Sequence, residues 1–118
     1  MNDMNWIRLQ REGQFFERKS CYDRSKGKVK LRPIREVARD LAETLSAMAN
    51  ADGGSVAIGM EDDGSVTGAP YPEERLTVLR EASRTHIRPP LRARVQTALM
   101  EDKLVLLFET DWSAEAHQ

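Results

Sequence analysis

Residues 33–50, PIREVARDLAETLSAMAN, decide how the chain is read. Ile34, Val37, Ala38, Leu41, Ala42, Leu45, Met48 and Ala49 recur at the spacing that puts apolar side chains on one stripe of an α-helix. Arg35, Glu36, Arg39, Asp40 and Glu43 fall on the outer face. Pro33 suits the first turn, where its missing N–H costs nothing. Asn50 and the pair Gly53–Gly54 end the helix. One long amphipathic helix needs a broad apolar surface to lie on, so strands are sought on either side of it.

Upstream, residues 14–19 (QFFERK) read as a short strand, and residues 20–32 (SCYDRSKGKVKLR) as a polar basic loop without apolar period. Downstream, residues 55–60 (SVAIGM) read as a buried strand. Asp63–Gly64 is a two-residue hairpin signal leading into a short strand over 65–68. A second helix is expected from residue 73 to about residue 87, ended by 88–90. Residues 91–99 alternate, with Leu91, Ala93, Val95, Thr97 and Leu99 on the inner side. Glu101–Asp102 turns the chain into an almost wholly apolar strand, 104–108. The order β-α-β-(β)-α-β-β predicts an α+β fold with crossover connections, two main helices and a C-terminal antiparallel hairpin.

The 118 residues fit one domain, 1–118, with 40% hydrophobic and 31% charged residues, ordinary for a globular chain. No apolar run is long enough to span a bilayer. A single cysteine excludes an internal disulfide, and a cytoplasmic location is expected. Cys21 reads as an exposed bystander, and with only His86 and His117 beside it there is no zinc set. The glycines between 53 and 68 precede a strand and lack a following Lys-Ser/Thr, so they form no nucleotide-binding loop.

Net charge is −1, but it is unevenly placed: residues 1–35 carry +6 and residues 36–118 carry −7. Such asymmetry points to an anionic partner. Arg18, Lys19, Arg24, Lys26, Lys28, Lys30 and Arg32 are the expected phosphate contacts to nucleic acid, DNA ahead of RNA. Glu12, Glu17 and Asp62 flank the first two strands, where converging carboxylates would hold a hard cation. Glu12 and Glu17, five apart, converge only through a bulge, which Gly13 would supply. Otherwise these acids are solvated turn residues. A protein-interaction or homodimerisation domain is the third reading.

The block LSAMANADGGSVAIGMEDDGSVTG (45–68) resembles the signature of the Schlafen AlbA-2 domain, and EGQFFERK (12–19) resembles that family's E-x-x-x-x-E-F-K, with Arg18 in place of phenylalanine. Met60 and Glu61 stand where valine and aspartate are common. The resemblance implies an Alba-like fold and a nucleic-acid-binding role. It also implies an N-terminal place in a longer bacterial protein, a RecG-related ATP-dependent DNA helicase or a transcriptional regulator, with further domains after residue 118. In animal Schlafen proteins a related domain cleaves RNA with two glutamates and an aspartate. Those roles fall on Glu12, Glu17 and Asp62, with Mg²⁺ or Mn²⁺ as the cofactor. The nucleases use a duplicated domain pair, so a single copy is expected to be non-catalytic by itself.

Overall fold

The computed structural model describes residues 4–114, 116 and 117. The long stripe forms α2, Ile34–Asn50, and every apolar position of the stripe is buried. Pro33 sits just outside as the N-cap rather than within the first turn. The surface beneath α2 is a mixed four-stranded sheet made of β1 (Phe16–Lys19), β4 (Gly53–Ile58), β5 (Arg94–Met100) and β6 (Lys103–Asp111). Its order is β1-β4-β6-β5. β1 and β4 are parallel, and α2 is the crossover that joins them. The other two pairings are antiparallel. This is the α+β arrangement expected from the order of elements.

Two cores lie on the two faces of the sheet. On one face Val56, Ile58, Leu106 and Phe108 meet α2 together with α3 (Glu73–Arg80) and α4 (Ala82–Thr85). On the other, Phe16, Ala57, Met60, Val105 and Leu107 are covered by Met4 and Ile7 of the N-terminal segment. That segment includes α1, Trp6–Leu9, a single turn too short to show periodicity in sequence. Among the described residues no helix is long and apolar enough to cross a membrane.

Several elements differ from expectation. The basic stretch 20–32 is not all loop: β2 (Tyr22–Asp23) and β3 (Lys30–Leu31) pair there as an antiparallel ribbon. The turn at Asp63–Gly64 forms, but the strand over 65–68 shrinks to one bridge, Met60 to Val66. The cause is Gly59, at φ 103°, whose carbonyl accepts from both Thr67 and Gly68 N–H groups and so bends the chain. The second helix breaks at Glu81 into α3 and α4, although Leu76, Leu79 and Ala82 are buried along them and Ile87 is buried just beyond. In β5 the inner face changes along the strand. Val95 packs on the helix side, Ala98 and Met100 on the other, and Leu99 is exposed. An edge strand between two cores can serve both. The tail is not free: His117 donates its backbone N–H to Asn50 Oδ1 at 2.9 Å, and its Nδ1 lies 2.8 Å from the Pro89 carbonyl. Trp112, just after β6, is exposed.

Leu41 is fully buried at the centre of the stripe. Leu41→Ala should destabilise the domain by about 2–5 kcal/mol in chemical denaturation, from lost transfer energy plus a cavity. A loss under about 0.5 kcal/mol would place the stripe outside the core.

Candidate nucleic-acid interface

β1 is an edge strand, and its alternation sends successive cations to opposite faces of the sheet. Arg18 leaves on the face of Phe16 and is almost fully buried. Its Nε and Nη2 donate to the Ile7 carbonyl at 3.0 and 2.6 Å, and Nη2 also donates to the Gln10 carbonyl. These are the free carbonyls at the end of α1, where a cation is favoured. The guanidinium also lies 5.0 Å from the Phe16 ring centroid.

Lys19 leaves on the helix face. Its Nζ is 2.6 Å from Asp40 Oδ1 and 2.6 Å from Glu17 Oε2. Arg32 joins the same group through Asp40 Oδ2 at 3.1 Å and Glu36 Oε1 at 2.9 Å, and it donates to the Ser20 carbonyl. Burial alone would raise the Asp40 pKa, but its bonds to Lys19 and Arg32 outweigh that and hold it below the ordinary range. Burial likewise disfavours the Lys19 charge, and Asp40 and Glu17 more than restore it. Arg18, Lys19 and Arg32 were expected to meet phosphate. Arg18 and Lys19 are instead buried, and Arg32 is largely engaged in internal bonds, because removing a cation from water demands partners within the protein. Asp40, which periodicity placed only on an outer face, organises this group. Nothing in the spacing distinguished it from its neighbours.

The acids gather around the outer edge of β1. Gly13 does interrupt the strand, but as a tight turn rather than a bulge, since Gly13 and Phe16 form an antiparallel bridge. The turn brings Glu12 back beside Arg18, whose backbone N–H donates to Glu12 Oε2 at 3.0 Å. An edge N–H that no strand covers is thus covered by a side chain. The Glu12 pKa is raised, first by burial and then by the neighbouring Asp62 carboxyl and the charge of Glu17, against the lowering pull of the Arg18 N–H. The fold therefore brings Glu12 into contact with Asp62 and within electrostatic range of Glu17, while Glu17 is bound to Lys19. Among the described residues no group of three or more His, Cys, Asp or Glu side chains is arranged to hold a metal ion.

The remaining cations lie on the β2–β3 ribbon. Arg24 is paired with Glu61 at 2.8 Å and stands over the Tyr22 ring. Lys26, Lys28 and Lys30 are exposed, and among the described residues none of them forms a salt bridge. The ribbon's bend is pinned from within. The Asp23 carboxylate accepts the Ser25 N–H at 2.9 Å and its hydroxyl at 2.6 Å, and Gly27 takes φ 75°. Beneath it Cys21 is fully buried rather than exposed, and burial pushes its thiol up to about 11. A thiol so protonated is no nucleophile at neutral pH.

The profile of the family described as Schlafen, AlbA_2 matches residues 12–118. The chain belongs to the Schlafen AlbA_2 family. Among solved structures, the DIP2311 protein of Corynebacterium diphtheriae is 24% identical at a TM-score of 0.68; the match covers 88% of this chain and 19% of that one. The N-terminal domain of a RecG-related protein from Nitrosomonas europaea is 19% identical at a TM-score of 0.64, covering 96% of this chain and 75% of that one. At such identities the likeness shows the shared fold. This AlbA_2 chain spans about a fifth of the length of the DIP2311 protein. No curated protein matches it.

The contact between Glu12 and Asp62 is testable by titration. With its pKa raised in the fold, Glu12 contributes stability that is full below its unfolded value and lost as pH rises through the folded one. Asp62→Asn removes one source of the upward shift, so carboxyl NMR should show Glu12 titrating closer to the ordinary glutamate range. An unchanged Glu12 titration would mean that the two carboxyls do not interact.

Proposed function

We propose that this domain binds nucleic acid through the β2–β3 ribbon, with Lys26, Lys28 and Lys30 on the phosphate backbone, DNA ahead of RNA. The observation that carries the reading is the partition of charge. The buried cations satisfy internal acids and carbonyls, whereas the ribbon holds three exposed lysines without salt bridges among the described residues. Ammonium groups on a pinned ribbon give affinity without base readout, which suits a module that supplies grip rather than sequence choice. Membership of the AlbA_2 family and the likeness in fold to the N-terminal domain of a RecG-related protein support the same role. In this reading the domain is cytoplasmic and acts as the N-terminal grip of a longer RecG-like helicase or transcriptional regulator.

A second reading has one observation in its favour, the contact between Glu12 and Asp62. These two with Glu17 would hold Mg²⁺ or Mn²⁺ for RNA cleavage if Glu17 gave up Lys19. The described arrangement does not fit a cation as it stands. Paramagnetic broadening of the Glu12 and Asp62 resonances by Mn²⁺ would favour this reading.

The ribbon reading predicts roughly micromolar or weaker binding of oligonucleotides by the domain at physiological salt. Alanine at Lys26, Lys28 and Lys30 together should weaken it in an anisotropy titration. It should also flatten the salt slope by about 2 on a single strand, at about 0.7 per lost phosphate contact. Equal affinity and slope for variant and parent would remove the ribbon from the interface.

A further inference from the structure

The outer face of α2 carries charge that the proposed ribbon contact does not use. Arg35 and Arg39 are exposed one turn apart, with Cα atoms about 6 Å apart along the axis. Neither forms a salt bridge among the described residues. The acids around them are mostly engaged elsewhere. Glu36 is bound by Arg32, Asp40 by Arg32 and Lys19, and Glu81 by Arg84. Glu43, one turn past Arg39, is the exception and bounds the basic stretch at that end.

Between α2 and the α3–α4 segment these arginines line a groove of about 430 Å³. Thr77, Thr85, His86 and Glu81, the last paired with Arg84, line it as well, and half-buried Val78 supplies an apolar floor. Guanidinium forks and hydroxyl donors are the groups that hold phosphate oxygens, and an apolar floor suits the sugar between two phosphates. A second depression, about 420 Å³, shares Arg35 and Arg39 and reaches Arg32, next in sequence to the ribbon's β3; Glu36, Asp40 and Glu43 line it too, the first two bound by Arg32. Sharing two arginines, the two depressions adjoin and run from Arg32, beside the ribbon, to His86. A larger groove lined by Arg80, Arg84, Arg92 and Arg94 is a poorer candidate, because three of its four arginines are bound to Glu73, Glu81 and Asp111.

We propose that the groove between α2 and α3–α4 takes the phosphodiester backbone of a nucleic-acid strand leaving the β2–β3 ribbon, with Arg35 and Arg39 as its principal contacts. This rests on the ribbon reading and extends it: the strand runs over the start of α2 and ends its contact near His86. Short strands fill the ribbon alone, and longer ones fill both.

The test is anisotropy titration of the 118-residue chain with single-stranded DNA of increasing length over a range of salt. Arg35→Gln with Arg39→Gln should leave the thermal melt unchanged, since neither side chain is buried or, among the described residues, salt-bridged. On long strands binding should weaken on the order of tenfold, and the salt slope should fall by about 1.4, two contacts at about 0.7 each. Short strands should bind as to the parent. Lysine at both positions should restore most of the slope, because it keeps the charge. Parent affinity and slope at every length, with the ribbon variant weakened, would overturn the groove and leave the ribbon reading standing. Weakening by the arginine variant alone would overturn the continuous path and the ribbon reading with it. Absence of binding by the parent would overturn both.

Discussion

The packing of α2 across β4 and β6 is the contact on which the other features depend. Two parallel neighbours, β1 and β4, can be joined only by a crossover, and α2 is that crossover. Its stripe must bury against Val56, Ile58, Leu106 and Phe108, which sets how far the helix can lie from β1. That placement brings Asp40 over the end of β1, where Lys19 and Arg32 reach it. Hydrophobic burial thus sets the backbone, and the ion pairs form where the backbone puts them. Removing one partner of such a half-buried group would leave a charge with poor solvation, so the group supports the geometry more than it adds stability.

The edge position of β1 has a second consequence. An uncovered edge strand invites pairing with another chain, and here that edge is closed by the turn at Gly13 and by the Glu12 carboxylate on the Arg18 N–H. Glu12 therefore has a structural task at the same place where its carboxyl meets Asp62. A carboxylate that caps a backbone N–H is restrained by that bond. Any binding chemistry at this edge has to work within that restraint.

The basic N-terminal part divides by depth. Cations on β1 point into one core or the other and are used there. Cations on the ribbon stand clear of both cores, and those on α2 face outward because the stripe faces inward.

The elements with strong periodicity were legible in the residues themselves: the stripe of α2, the apolar run of β6 and the Glu101–Asp102 turn, whose residues take φ of 52° and 62°. Periodicity reports which side of an element is apolar, and that is enough to assign helix, strand and α+β order. It says nothing about how far a polar side chain ends up from water. Arg18, Lys19 and Lys28 look alike in sequence; two of them are buried and one is exposed, because β1 lies between two cores and the ribbon lies outside both. The meeting of Glu12 with Asp62, and the grouping of Lys19, Arg32 and Asp40, join residues from different elements. Only the crossover and the Gly13 turn bring them together, so tertiary structure alone decided which charges are spent inside the fold and which face solvent.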